Sequence, residues 1–338
     1  MPIIIKDSSD VSKLGRTVKI DKIRSDDENP GLRDFEASFL RLLEKVTNGS
    51  VIEISYTGTS VLYKPGVIIG GKISHDCGTA RAIGYYLEQM IAIAPFAKSP
   101  FNLTLSGITN DNVDVSIMKR GAPPLGGGEI NFKCPTIRAL KPIGFVDDGR
   151  IKRIRGIACS TRVSPQTANR MVNSARAVLN RYIPDIYIYT DVFRGEESGK
   201  SPGFALSLVS ETTTGVLFSA ERAANPGETP EDIGNRTAKQ LLSEIRNGGC
   251  VDSISQWLVL LLMVLCSEDV SKVRVGKLSA FTIQYVRDIK EFFGVTFKIK
   301  QETYIQEQES SNPSHNYNDT LLLSCVGIGY VNYNKKTT

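Results

Sequence analysis

Met118–Ile130 reads MKRGAPPLGGGEI. Two prolines and three consecutive glycines lead into a carboxylate, Glu129. Such a stretch is either a phosphate-cradling loop or a tight turn between strands. The G-x-G-x-x-G spacing of a dinucleotide loop is absent, and the residues after it, Glu129–Lys133, read as a strand where that loop needs a helix. Locally, a turn with backbone at positive φ fits better. Glu129 has no second carboxylate at a metal-binding spacing, so no metal site is expected.

Two further stretches look related: KPGVIIGG (64–71) and KSPGFALSL (200–208). Their identity is too weak to prove a repeat. The alternation of strands, helix and glycine-marked turn still argues for an α+β chain of similar small units. GEESGKS (195–201) resembles the end of a P-loop, but only three residues separate its first glycine from GK where four are needed. Pro202-Gly203 follows, so no helix N-terminus is available for phosphate.

Outward from these turns the elements are legible. Asp34–Val46 places Phe35, Phe39, Leu43 and Val46 on one helical face and stops at Asn48-Gly49. Val51–Tyr56 and Val61–Tyr63 read as a hairpin around TGTS. Gln166–Tyr182 is a helix by its 3.6-residue period. Strands are expected at Ile186–Phe193, Phe204–Ser210 and Gly215–Ser219. A helix capped at Thr229-Pro230 runs through Ile245. Ile254–Leu265 and Thr282–Phe293 read as helices, and Val295–Lys300 and Thr320–Val331 as strands. Gln301–Asn318 is polar and reads as a mobile loop.

The chain has 338 residues, 41% hydrophobic and 23% charged, with net charge +5 and pI about 8.8. That composition suits a globular core, and the mild basicity permits an RNA partner without requiring one. No CxxC pair occurs among the six cysteines, which argues against a zinc ribbon and for a reducing compartment. The start, MPIIIKDSSD, lacks a signal-peptide core, and the most apolar run, ISQWLVLLLMVL, is too short to span a bilayer. No membrane association is expected. Lys335-Lys336 alone is too little for a nuclear-import cluster.

Only two histidines occur, His75 and His315, both in polar stretches that read as solvated loops. Neither neighbours a nucleophile motif. The basic residues are more suggestive: Arg24 and Arg33 around NPGLR, the run RIKRIRG (150–156), and Arg287 with Lys290 on a helix, where Glu291 is the i+4 partner of Arg287. They are either solvated faces or an anion and RNA surface, guanidinium groups matching phosphate.

Taken together, several of these segments resemble the RNA 3′-terminal phosphate cyclase family. IRSDDENPGLRDFEASFL (23–40), RGAPPLGGGEI (120–130), the Gly-Gly before the apolar helix, and KLSAFTIQYVRDIKEFFGVTFKI (277–299) carry the resemblance. KPGVIIGG, STRVSPQTANRM (160–171), RGEESGKSPGF (194–204) and VGIGYVN (326–332) resemble a eukaryotic, cyclase-like branch. The resemblance implies an α+β fold of three repeats, each a small sheet backed by two helices, with a smaller α/β domain inserted. The large domain would be 1–183 plus 249–338, and the insert 184–248. The segment between Gly107 and Met118 is shorter than the family's.

The resemblance also implies a lost reaction. In true cyclases a histidine attacks ATP and carries the adenylate. Here Phe281 falls at that position, and the family's Asp-Gln pair becomes Gln256-Trp257. No cofactor is expected, and the glycine turn becomes inherited scaffold. The branch implies a nuclear, nucleolar, non-cyclising factor in pre-rRNA processing for 18S rRNA and the small subunit. Its implied partners are a ribosome-assembly GTPase, pre-ribosomal particle proteins and pre-rRNA. Arg24, Arg33, Arg120, Arg287 and Lys290 are the candidate anion or RNA contacts. The rival expectation is a pre-rRNA endonuclease using Arg287, Asp288 and Lys290.

Overall fold

The computed structural model describes residues 17–109, 116–303 and 319–332. Two compact units emerge. One is built on the chain up to Arg138 together with Phe193–Gly203, the other on Ala139–Val192 and Phe204–Tyr330.

In the first unit, β1 (Val18–Ile20) is followed by α1 (Asp34–Val46) and the short β2 (Thr47–Asn48). The expected hairpin is present as β3 (Val51–Ile54) and β4 (Val61–Lys64), and the sheet order is β1-β4-β3. β5 (Val67–Ile68) pairs with β2. Next come β6 (Gly71–Asp76), α2 (Ile83–Ile93), β7 (Phe101–Gly107), β8 (Ser116–Lys119) and β9 (Gly128–Cys134). They form a sheet of order β6-β7-β9-β8, with β6 and β7 parallel. α1 buries Phe39, Leu42, Leu43 and Val46; α2 buries Tyr86, Leu87 and Met90. Their aromatic rings meet edge to face, Phe35 and Tyr85 at 5.3 Å.

The second unit opens with β10 (Gly144–Phe145). A sheet of order β12-β11-β13-β14 follows, made of β11 (Ile151–Thr161), β12 (Ile186–Phe193), β13 (Gly203–Thr212) and β14 (Leu217–Ala223). The helices α3 (Pro165–Leu179) and α4 (Pro230–Asn247) share one apolar core with it, from Ile154 and Met171 to Phe218 and Leu241. Ser164 and Thr229 cap these helices with proline next in line. This one core starts well before the insert boundary read at 184, because β11 and α3 supply nearly half of it. A cut between 183 and 184 would pass through a single sheet.

The chain then forms α5 (Gln256–Leu265), β15 (Val270–Val275), α6 (Ala280–Phe293), β16 (Lys298–Thr303) and β17 (Asp319–Val326), in a sheet of order β10-β15-β17-β16. The apolar run read as a core helix is α5, with Leu260, Met263 and Val264 buried. No helix among the described residues is long and apolar enough to cross a membrane.

The repeat that sequence identity left open is visible in topology. β15-β17-β16, β7-β9-β8 and β1-β4-β3 are the same motif: a strand, then two strands of which the later one pairs in the middle. α6 and α1 fill the crossover in the third and first copies. In the second copy β7 and β8 are joined by 108–115, the short stretch noted in the sequence, of which 110–115 lie outside the described residues. Of the polar stretch 301–318, residues 301–303 belong to β16 and the rest lie outside the described residues, as does His315.

Candidate functional site

The glycine turn and the P-loop-like stretch pack against each other. Arg120 N–H donates to the Glu197 carbonyl at 3.1 Å, Gly199 N–H to the Arg120 carbonyl, and Lys200 N–H to the Gly126 carbonyl at 2.9 Å. Leu125 N–H donates to Ser201 Oγ at 3.1 Å. A Cβ on Gly199 would stand 2.3 Å from Gly126 O and 2.7 Å from Gly121 Cα. The glycines therefore permit backbone-to-backbone contact. The N–H groups of Gly199 and Lys200 are occupied by carbonyls, so this is a turn and not a phosphate cradle.

Arg120 sits beside this seat. Its guanidinium carbon lies 5.7 Å from the centroid of the Phe193 ring, a cation–π arrangement, and its buried Nε has no hydrogen-bond partner.

Arg24 and Arg33 come together at the start of α1, through Glu36. Arg24 Nη1 and Nη2 donate to the two Glu36 oxygens at 2.8 and 2.6 Å. Glu36 also accepts from the Arg33 backbone N–H at 2.9 Å. Burial opposes ionisation of Glu36, but the Arg24 guanidinium and the Arg33 N–H outweigh it and hold the carboxyl below its ordinary range. Arg33 Nη2 lies 3.7 Å from Asp27. Arg24 is thus engaged by an internal carboxylate, while Arg33 is the more open of the two. Sequence reasoning missed Glu36. Its signal was there: a carboxylate three residues past the helix-preceding residue is capping-box spacing.

In the second unit, α6 separates the remaining candidates by face. Arg287 and Lys290 are exposed, whereas Asp288 is buried beside Thr282, Tyr285 and Ile289. Asp288 accepts from Gln284 Nε2 at 3.0 Å. Arg287 Nη1 donates to Gln284 Oε1 at 3.4 Å. Neighbouring positions on a helix do not face each other, so the three residues do not form one catalytic cluster.

Phe281 occupies the first turn of α6 after the Ser279 cap. It is 49% exposed and stacks on Tyr285, centroids 6.0 Å apart. Burial, then the Asp288 charge, raises the Tyr285 phenol. Gln256 is buried and its Oε1 accepts from Thr282 Oγ1 at 2.9 Å. These groups do not fit covalent adenylate transfer: a phenyl ring has no lone pair to attack phosphorus, and the amide beside it is tied into the helix cap.

His75 differs from its reading as a solvated loop residue. It lies in β6, 7% exposed, with Nε2 3.0 Å from Ser38 Oγ and a buried Nδ1 without a partner. Burial, aided by Lys45, pushes its pKa down. Without an orienting carboxylate on Nδ1, the pair lacks the third member of a catalytic triad. Burial pushes the Cys77 thiol up to about 12, so it is no nucleophile at neutral pH. All six cysteines are free. Among the described residues no three His, Cys, Asp or Glu side chains gather into a metal-binding group.

This fold agrees with what sequence comparison shows. The profile of the RNA 3′-terminal phosphate cyclase family matches residues 11–118, and that of the family's insert domain matches 146–246. The chain belongs to the RNA 3′-terminal phosphate cyclase family. Within it, the chain is 52% identical to the human RNA 3′-terminal phosphate cyclase-like protein, covering 95% of this chain and 92% of that protein. It is 49% identical to a probable cyclase-like protein of Dictyostelium discoideum, over 96% and 94%. It is 46% identical to the rRNA processing protein rcl1 of Schizosaccharomyces pombe, over 95% and 93%. The insert match agrees with the core that begins at β11.

Proposed function

We propose that this protein is a non-cyclising ribosome biogenesis factor. It acts in the pre-rRNA processing that yields 18S rRNA and the small subunit, in the nucleolus, docked on a ribosome-assembly GTPase within the pre-ribosomal particle. The observation that carries the reading is Phe281, an exposed ring where the family resemblance puts the nucleophile. The relative named as an rRNA processing protein supports the pathway. Arg33, Arg120, Arg287 and Lys290 act as positioning contacts for RNA phosphate, and Arg24 organises the start of α1 through Glu36.

The endonuclease alternative is the weaker reading, because Asp288 turns inward while Arg287 and Lys290 turn outward. The test has two arms. Labelled ATP and RNA ending in a 3′-phosphate should give neither a protein adenylate nor a cyclic end, for the native chain or for Phe281→His. Depletion of the protein in cells should make precursors of 18S rRNA accumulate. Adenylate on the native chain, or unchanged 18S output, would overturn the reading.

A further inference from the structure

We propose that the open face of the β10-β15-β17-β16 sheet binds the phosphate backbone of single-stranded RNA. This rests on the reading above that the protein works on RNA, and it names a surface for it. On β15, Ser271, Val273 and Val275 point inward, Val273 fully buried and paired with the equally buried Leu323. Strand alternation sends Val270, Lys272 and Arg274 to the other face.

Pairing register then lines up cations from different strands. One row runs Lys272, Ser324, Lys298; the next runs Arg274, Leu322, Lys300. Lys272, Lys298 and Lys300 are exposed. Arg274 is largely buried, its guanidinium 4.0 Å from Asp148. Lys272 and Lys298 are two strand spacings apart, roughly 10 Å, and Lys298 and Lys300 roughly 7 Å. Neither row contains a carboxylate. The row beyond, Val270 opposite Val326, is apolar and about half exposed, at 49% and 54%. A spaced array of ammonium groups beside a flat apolar row suits repeating phosphates joined by sugars. These rows hold no aromatic ring to stack bases and no acceptor-rich side chains to read them, so the contact is sequence-independent.

The first unit supplies a control. Lys72 and Lys133 flank Asn102 in the same manner, but two carboxylate positions, Asp76 and Glu129, share their face, against the single Glu302 position one row beyond Lys300.

Binding of a labelled single-stranded RNA to the full chain, titrated across salt concentrations, tests the proposal. The Lys272→Ala/Lys298→Ala/Lys300→Ala variant should bind at least about tenfold more weakly near 0.1 M salt, and its log–log salt slope should fall by about 2, as expected for three lost phosphate contacts. The corresponding arginine variant should retain binding, and Lys72→Ala/Lys133→Ala should change little. If the native chain binds RNA and the triple variant matches it in slope, the surface is wrong while the wider reading stands. An equal loss from the Lys72/Lys133 variant reduces the effect to net charge and also overturns it. A native chain that binds poly-glutamate through these lysines but not RNA points to an acidic protein partner and overturns both.

Discussion

His75 sits in KISHDCG, whose polar residues suggest a turn, yet β6 carries its side chain into the interior. The consequence is a pH effect. Its folded pKa lies below the ordinary value near 6.5, so the neutral ring is the folded form. Stability from this site is therefore complete above that unfolded value and is lost as pH falls through the lower folded one. Lys45, Arg41 and Asp76 are the charges that act on the ring. The urea midpoint should drop more between pH 7 and pH 5 for the native chain than for His75→Gln. Parallel profiles would show that His75 does not titrate with folding.

Among the elements, α3 and α4 approach closely at one glycine. A Cβ on Gly234 would lie 2.4 Å from the Met171 carbonyl oxygen. Helix propensity alone favours alanine over glycine by about 1 kcal/mol. Overpacking in a fixed core costs about 1–3 kcal/mol, and a backbone oxygen cannot swing away. Gly234→Ala should therefore destabilise the protein by up to about 2 kcal/mol net, measured by denaturant unfolding. A stabilised variant would mean the helices can separate without penalty. Arg170 and Glu231 close the same helix pair with contacts of 2.6 and 2.8 Å, but they are exposed and contribute little beside the packing.

For the whole molecule, the decisive feature is an inserted body with its own core. β11 to α4 bury their apolar faces on one another. The excised segment 146–247 should therefore fold alone and unfold in one cooperative transition, followed by circular dichroism during heating. The shorter segment 184–248 lacks β11 and α3 and should not. If both behave alike, the insert does not depend on the first strand and helix.

Local signals carried much of this from the sequence. The 3.6-residue period of α1, α3 and α4, the Thr229-Pro230 cap and the β3–β4 hairpin lie within single stretches, where spacing dictates burial. Family resemblance added the cyclase fold and the expectation that Phe281 stands where the cyclases have their nucleophile. What sequence left undecided depends on partners far along the chain. The glycine turn faces Gly199 and Lys200 across some seventy residues. Arg24 is claimed by Glu36, and Asp288 faces inward with Tyr285 while Arg287 and Lys290 face out. The insert boundary moved because β11 precedes it in sequence yet pairs within its sheet. Periodicity fixes which face of an element is apolar; only tertiary packing decides what covers that face, and hence which charges, carbonyls and glycines meet.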